Sequence, residues 1–270
     1  MSSIGEKFKQ LKHEGRKGFI PFVSAGDPDL QTSKEIVLAL AANGADIIEI
    51  GVPFTDPMAD GPTIQASSQR ALENGVRIPD VLQLVRDVRK TTDVPIVLFS
   101  YLNPLYQFGI EKLAAEASDA GVDGILITDA VNEAAYVASQ ILGRHGLDLI
   151  SLIAPTTSDK RLSRIAASAS GFIYAVSRAG VTGAQKETGA AARQLVERAR
   201  NYTDLPIAVG FGISTREQIA DVWQYADAAV VGSAIVAEIE RSISEGNTVE
   251  RITGFVQGLL PPVANETSQI

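Results

Sequence analysis

The chain has 270 residues, 45% of them hydrophobic and 21% charged, which is typical of folded globular proteins and argues against a disordered or fibrous chain. Its formal net charge of −8 would repel nucleic acid and anionic membrane surfaces, so an anionic ligand would need a local binding site. The sequence has no cysteine, which excludes disulfides, thiolate nucleophiles and zinc-thiolate sites and is compatible with a reducing cytosol.

The first predicted element is an amphipathic helix over residues 4–14, placed to plug the N-terminal mouth of a barrel. The segment 1–12 mixes charges without a continuous apolar run, which predicts neither a signal peptide nor an anchor. No stretch of the sequence is apolar for long enough to span a membrane. We therefore expect a soluble, cytoplasmic protein.

Eight short apolar runs follow, each rich in Ile, Val, Leu or Phe and nearly continuous in hydrophobicity, as in strands buried on both faces. Segments of helical period alternate with them. The predicted strands are 19–24, 47–51, 95–100, 124–128, 149–154, 171–176, 206–210 and 228–232. The predicted helices between them are 32–43, 81–91, 110–120, 133–145, 159–169, 191–202 and 216–225.

This alternation predicts an α/β fold, and the count of eight strands favours a (β/α)8 TIM barrel over an open doubly wound sheet. Besides the N-terminal helix, extra helices are predicted after strand two, at 63–74, and after strand eight, at 252–260. No linker divides the sequence, so residues 1–270 are predicted to form one barrel domain. Two long loops, 52–62 and 177–190, follow the carboxyl ends of strands two and six, where such barrels keep their active sites.

Glycines follow the seventh and eighth strands, where β/α barrels commonly hold phosphate. They let backbone N–H groups approach an anion closely, and the helix that begins after each motif adds a favourable dipole. The pair of motifs predicts a phosphate site, with a further glycine from the sixth loop, although tight turns alone would also explain glycines here. The residues concerned are Gly183, Phe211, Gly212, Gly232 and Ser233.

Strand two carries a glutamate, Glu49, where burial is expected. Because side chains alternate along a strand, Glu49 points away from Ile48 and Ile50, either into the barrel or into the helix layer. An unpaired buried carboxylate is costly in either place, so we interpret Glu49 as functional. An ion pair with a nearby arginine is the alternative.

The loop after strand two offers two more carboxylates, Asp56 and Asp60, among prolines that restrict its conformations. Asp56 directly precedes a proline, so an Asx turn is an equally good explanation for it. Asp60 precedes a helix entry at Gly61-Pro62, so a capping role competes with catalysis.

Two kinds of chemistry fit the sequence poorly. The lysines fall in helices or loops rather than at strand ends, which argues against a Schiff-base aldolase. The two histidines, His13 and His145, belong to different helices and give no metal-ligand pattern. Of the mechanisms considered, metal-free general acid–base catalysis by carboxylates fits the sequence best.

Several motifs of the sequence occur together in one known family. They are P-F-V-S-A-G-D-P from Pro21, E-I-G-V-P-F-T-D-P-M-A-D-G-P-T-I-Q from Glu49, S-R-A-G-V-T-G from Ser177, G-F-G-I-S from Gly210 and G-S-A-I-V from Gly232. Together they resemble the tryptophan synthase α-subunit family over almost the whole chain, and the second motif is highly specific. The resemblance implies a barrel lyase of tryptophan biosynthesis, with no cofactor of its own, that cleaves indole-3-glycerol phosphate into indole and glyceraldehyde 3-phosphate.

The resemblance also implies roles for matching residues. Glu49 would donate a proton to indole C3 and take one from the glycerol hydroxyl, while Asp60 would hold the indole N–H and stabilise positive charge on the ring. Tyr174 would lie near the glycerol chain. Arg178 and Thr182 belong to a loop that resembles the family's closing lid, where Thr182 would bond Asp60. The matching apolar wall positions are Phe22, Phe99, Leu126 and Val230, and the phosphate contacts are those of the predicted phosphate site.

One loop departs from the family pattern. After strand four the family usually has D-L-P or D-V-P followed by acidic residues, whereas this chain has D-A-V-N-E-A from Asp129. In the family, this loop and the loop of Asp56 face a pyridoxal-phosphate β subunit in an α2β2 complex. The resemblance therefore predicts partner contacts at Asp56 and Asp129, and the departure bears on the strength of that contact more than on the chemistry.

Three hypotheses follow. The first is a catalytic α subunit that works with a β subunit. The second is a free-standing lyase that needs no partner, which the altered loop 130–134 favours. The third is a barrel kept mainly to bind and activate a partner, and the presence of both Glu49 and Asp60 argues against it.

Overall fold

Eight parallel strands close into a barrel in which each strand pairs with its neighbours along the chain and the eighth pairs with the first. The computed structural model describes residues 2–176, 185–210 and 212–261. Its strand order confirms the predicted (β/α)8 architecture. The strands are β1 (Gly18–Ser24), β2 (Ile48–Gly51), β3 (Ile96–Ser100), β4 (Gly124–Ile127), β5 (Asp148–Ile153), β6 (Ile173–Val176), β7 (Ile207–Gly210) and β8 (Ala228–Val231).

Helices surround the barrel, including the predicted N-terminal helix and the extra helices after strands two and eight. They are α1 (Ser3–His13), α2 (Leu30–Ala42), α3 (Pro62–Glu73), α4 (Ile78–Arg89), α5 (Leu102–Phe108), α6 (Ile110–Ala120), α7 (Glu133–Arg144), α8 (Asp159–Ser168), α9 (Gln185–Ala199), α10 (Arg216–Val222), α11 (Ser233–Ser242) and α12 (Thr248–Leu259). A 3-10 helix, Ile243–Glu245, lies between α11 and α12. None of the helices in the described part of the chain combines the length and apolarity needed to cross a bilayer.

Two helices differ from the prediction. The sequence predicts no helix at α5, because seven residues are too few to show a periodic pattern. The helix is also held by a tertiary contact, since its first residue, Leu102, donates its N–H to Asp129 Oδ1 at 2.7 Å. The predicted loop 177–190 is wrong at its carboxyl end, because α9 already begins at Gln185. The first turns of α9 are polar and so carry no apolar spacing that would indicate a helix.

Alternating side chains divide the core into an inner and an outer cluster. Inside the barrel, Phe22 and Ile47 pack with the inward residues of the other strands, whereas Ile48 and Ile50 pack outward under the helices. Helix α1 adds its buried residues to the inner cluster, and the ring of Phe8 lies 5.8 Å from that of Phe172. This contact confirms that α1 closes the N-terminal end of the barrel.

Aspartates just before strands fix neighbouring strands at the N-terminal end. Asp46, Asp123 and Asp227 each accept a backbone N–H from an adjacent strand, and each also contacts an arginine. The carboxylates thus satisfy donors at strand ends that the sheet leaves unpaired. The backbone donors are Phe19, Ile96 and Ile207, at 2.9, 2.8 and 2.9 Å, and the arginines are Arg16, Arg89 and Arg200.

The variant Asp123→Ala would remove the acceptor of the Ile96 N–H and leave the partly buried Arg89 without its carboxylate. We expect the free energy of unfolding to fall by about 2 to 4 kcal/mol. Urea unfolding followed by circular dichroism measures the change. The matched control Asp119→Ala removes only an exposed ion pair with Arg86 and should cost about 1 kcal/mol or less. Equal losses in the two variants would contradict a structural role for Asp123.

Candidate active site

A cavity of about 540 Å3 opens at the carboxyl ends of the strands. Most of its wall is apolar, with carboxyl groups on one side and the N-terminal end of α11 on another. Concave sites of this kind, with few convergent polar groups, are typical of ligand-binding pockets. Of the predicted site residues, it brings together Phe22, Glu49, Asp60, Phe99, Tyr174, Gly212, Val230, Gly232 and Ser233.

Glu49 points into the barrel, which settles the choice that strand alternation left open. Its side chain is only 1% exposed, and Oε1 has no hydrogen-bond partner among the described residues. No arginine in the described segments makes an ion pair with Glu49, which argues against the ion-pair alternative within those segments. Burial raises the pKa of Glu49 to about 8. At neutral pH this carboxyl therefore holds a proton that it can give to a ligand in the cavity.

Asp60 lies at the rim of the cavity, half-buried, and does not cap α3. The N-cap of that helix is Gly61, which makes no side-chain capping bond, and Pro62 is its first residue. Instead, Asp60 Oδ2 accepts a hydrogen bond of 3.0 Å from the Tyr101 hydroxyl. Burial raises the pKa of Asp60 to about 6, against the opposing effect of the Tyr101 hydrogen bond. Asp60 is thus mostly ionised at neutral pH, while Glu49 is mostly protonated.

Tyr101 is a functional residue that the sequence reasoning missed. Its hydroxyl donates to Asp60 and also accepts the Ala59 N–H at 2.9 Å, so it ties the loop after β2 to the end of β3. Burial and the negative charge of Asp60 raise its pKa, which keeps the phenol protonated as a donor. A signal was present, because Tyr101 lies two residues after the inward-facing Phe99 and shares its face.

Two glycines make room for aromatic side chains of the cavity. A Cβ atom on Gly210 would lie 2.1 Å from the Tyr174 hydroxyl, and one on Gly51 would lie 2.6 Å from the ring of Phe22. Tyr174 itself is buried, and burial together with the charges of Glu49 and Asp60 raises its pKa far above the usual range. The absence of side chains at both positions therefore determines where Tyr174 and Phe22 can stand.

The apolar wall is built mainly from aromatic rings. Phe22 and Phe99 meet edge to face with centroids 5.3 Å apart, an arrangement favoured by the ring quadrupoles. Leu126 departs from its predicted place, because it packs in the inner cluster and does not line the cavity. Residues that line the cavity without having been predicted are Met58, Ala59, Gly61, Ile64, Leu152 and Val176.

The free helix end at the cavity belongs to α11 rather than α10. The first turn of α10 is closed by a capping box between Thr215 and Gln218, whose side chain also accepts the Ser214 N–H. Gly232, the N-cap of α11, makes no side-chain capping bond, and Ser233 begins the helix at the cavity wall. Helix α11 therefore offers the backbone donors and dipole that favour an anion.

Some predicted residues lie elsewhere. Arg178, Thr182, Gly183 and Phe211 fall outside the described residues. Asp56 is exposed on the loop after β2, where Oδ2 accepts a bond of 2.5 Å from Thr55 Oγ1. Asp129 is exposed and holds the first residue of α5. Across the described ranges, no three His, Asp or Glu side chains gather in a way that could hold a metal ion.

A model of the family described as "Tryptophan synthase alpha chain" matches residues 8–259. The chain belongs to the tryptophan synthase alpha chain family. An alpha chain of this name from Geobacter sulfurreducens is 46% identical over 265 residues, covering 98% of this chain and 100% of the relative. Another, from Acidiphilium cryptum, is 48% identical over 272 residues, covering 98% and 99%.

Solved structures of tryptophan synthase alpha chains share the fold. One from Legionella pneumophila superposes with a TM-score of 0.90 at 33% identity and covers 100% of both chains. A mutant alpha subunit from Pyrococcus furiosus superposes with a TM-score of 0.83 at 38% identity, covering 90% of this chain and 97% of that one. Membership confirms the resemblance and the activity it implies, that of a carbon–carbon lyase in tryptophan biosynthesis.

The variant Tyr101→Phe would remove the hydrogen bond that favours the charged form of Asp60. The pKa of Asp60 should therefore rise above its present value of about 6. Carbon-13 NMR titration of the Asp60 carboxyl measures it directly. The control Tyr106→Phe alters an exposed tyrosine of α5 and should leave that titration unchanged. An Asp60 pKa that stays the same or falls in Tyr101→Phe would show that the hydroxyl does not support the carboxylate.

Proposed function

We propose that this chain cleaves indole-3-glycerol phosphate by general acid–base chemistry carried by Glu49 and Asp60. The observation that carries the proposal is the Glu49 carboxyl, which lines the cavity, is buried, and has an Oε1 without a hydrogen-bond partner among the described residues. A carboxyl whose pKa is about 8 can both donate and accept a proton near neutral pH. The apolar wall and the helix end of α11 suit the two ends of this substrate.

The reaction needs two proton movements around one carbon–carbon bond. The Glu49 carboxyl gives its proton to C3 of the indole ring, which leaves the ring positively charged. The resulting carboxylate then takes the proton of the glycerol hydroxyl next to C3. The electrons of that O–H bond form the aldehyde carbonyl, the bond from C3 to the side chain breaks, and the ring returns to neutral indole. Glu49 ends the cycle protonated, as it began.

Asp60 supports this cycle as a charge rather than as a proton carrier. With a pKa of about 6 it is mostly ionised at neutral pH, and its carboxylate can accept the indole N–H while C3 gains a proton. Placing negative charge beside the ring stabilises the cationic intermediate. Two carboxyl groups with separated pKa values thus take the two different roles.

The remaining contacts orient the substrate. The protonated phenol of Tyr174 lines the cavity near both carboxyl groups and can donate to an oxygen of the glycerol chain. Gly232 and Ser233 would hold the phosphate at the N-terminal end of α11, where backbone donors and the dipole favour an anion. Phe22 and Phe99 would enclose the indole ring.

The variant Glu49→Gln keeps the size of the side chain and removes the proton transfer. We expect cleavage of indole-3-glycerol phosphate to fall by about 10²- to 10⁴-fold or to background, with nearly unchanged binding. Indole release measures the first quantity and isothermal titration calorimetry the second. The exposed Glu111→Gln serves as control and should retain full activity. A large loss of binding in Glu49→Gln would instead mean that Glu49 is structural, and an active variant would rule out its catalytic role.

We further propose that the chain works in the cytoplasm with a tryptophan synthase β subunit in an α2β2 complex. Family membership implies such a partner, and the carboxyl-end face offers apolar side chains for it. Met58 is 90% exposed beside the cavity, and Tyr106 of α5 is 56% exposed. Asp129 accepts the N–H of Leu102, the first residue of α5, and this contact helps to position Tyr106 on the same face.

The variant Tyr106→Glu should weaken association with the β subunit by about tenfold or more, because it places a charge in an apolar contact. Sedimentation or light scattering of mixed subunits measures the affinity. Tyr202→Glu changes a tyrosine that is 38% exposed before β7, at the other end of the barrel, and should not affect binding. Indole release assayed with and without the β subunit completes the test. Full activity without it would favour the free-standing lyase.

A further inference from the structure

A second cavity, of about 290 Å3, lies at the barrel wall between the carboxyl ends of β4 and β5 and the helices α7 and α8. It contains none of the residues assigned to the reaction above. Its walls combine apolar side chains with two arginines and several hydroxyl groups. The reaction proposed for this chain gives the second cavity no role.

The cavity exists because β4 and β5 separate before they end. The two strands are in register from Gly124 opposite Asp148 to Leu126 opposite Ile150, and the pairing stops there. Beyond that point Thr128 donates its N–H to Ser100 of β3 at 2.9 Å. The end of β4 thus stays with β3, and a gap opens on its other side.

Helix α8 turns one face toward this gap. Arg161, Arg164, Ile165 and Ser168 all line the cavity, and their spacing of three, four and seven residues places them on one side of a helix. Within the described residues, neither guanidinium makes an ion pair or a hydrogen bond. The acidic residue at the start of this helix, Asp159, is engaged by Arg198 instead. Both arginines are exposed, so their charge is available to an anion that enters the cavity from solvent.

A threonine of the cavity wall carries a buried hydroxyl. Thr128 lines the cavity, and its Oγ1 is buried without a hydrogen-bond partner in the described segments. Buried polar atoms are nearly always satisfied by protein groups or ordered water, so this hydroxyl has an unused hydrogen-bonding position next to the cavity. Ile153 and Ile165 form an apolar wall nearby.

We propose that this second cavity binds a small amphipathic organic anion. Its acidic group would lie between Arg161 and Arg164, where charge-assisted hydrogen bonds are available. Its apolar part would fill the space beside Ile153 and Ile165, with Thr128 bonding a polar atom. The inference does not depend on the proposed reaction, since no residue of the acid–base site takes part.

The two cavities share part of their walls. Leu152 and Val176 line both of them, so a ligand in the second cavity would touch side chains that also face the reaction cavity. A binding experiment must therefore distinguish the two places. Glycerol phosphate provides the means, because the proposed function places its phosphate at the N-terminal end of α11 and it lacks the apolar part that the second cavity would hold.

The test uses the fluorescent anion 1-anilinonaphthalene-8-sulfonate and its neutral analogue N-phenyl-1-naphthylamine, which lacks only the sulfonate. Fluorescence titration of the full chain should show saturable binding of the anion at one site, retained at saturating glycerol phosphate. The double variant Arg161→Gln/Arg164→Gln should weaken this binding by about tenfold or more and leave the neutral analogue unaffected. Lys160→Gln, a charge change on the same helix outside the cavity, is the matched control and should change affinity less than about twofold.

A second variant tests the apolar part. Ala135 lines the cavity from α7, and Ala135→Phe should block binding of both compounds by filling the space. Circular dichroism and indole release confirm that each variant is folded. The proposal is overturned if the anion does not bind, if glycerol phosphate displaces it, if the neutral analogue binds equally well, or if the double glutamine variant binds it as tightly as the parent.

Discussion

Closing eight parallel strands into a ring sends every second side chain of each strand into a space that only other side chains can fill. In this protein α1 and the inward residues fill that space from the N-terminal end, and the filling stops short of the carboxyl ends. Glu49 lies at the boundary between the packed inner cluster and the cavity. Its position follows from alternation along β2, and its raised pKa follows from the apolar residues around it. The buried position of the proposed catalytic carboxyl thus follows from barrel closure.

Glu49 and Asp60 carry similar carboxyl groups, but their surroundings raise the two pKa values to different levels. Glu49 lies on a strand and its Oε1 has no hydrogen-bond partner among the described residues, so burial dominates its titration. Asp60 lies on a loop at the rim, where the Tyr101 hydroxyl offsets part of the cost of burial. A hydrogen bond from Tyr101 and a less buried position distinguish Asp60, the proposed fixed charge, from Glu49, the proposed proton carrier. Acid–base specialisation of this kind needs no difference in chemical type, only a difference in surroundings.

Sequence patterns predicted most of this fold because buried parallel strands are nearly continuous in hydrophobicity and the helices between them are periodic. Features set by tertiary contact were not predictable in the same way. Helix α5 is contacted by Asp129 from another loop, and Leu126 packs in the inner cluster, whereas the family resemblance implies a cavity-wall position. Within the site, Glu49 could be argued from the cost of burial alone, whereas the role of Asp60 needed a family resemblance. Tyr101 was missed because its partner lies 41 positions away in the sequence.

The aspartates that precede β2, β4 and β8 have a consequence for protein engineering. They anchor neighbouring strands at the end of the barrel opposite the cavity, through backbone donors that any sequence would supply. These three contacts involve none of the loops at the carboxyl ends. Those loops can be exchanged, lengthened or randomised in a library while the scaffold keeps its alignment. A barrel whose strands are linked at the N-terminal end in this way is a suitable scaffold for new catalytic loops.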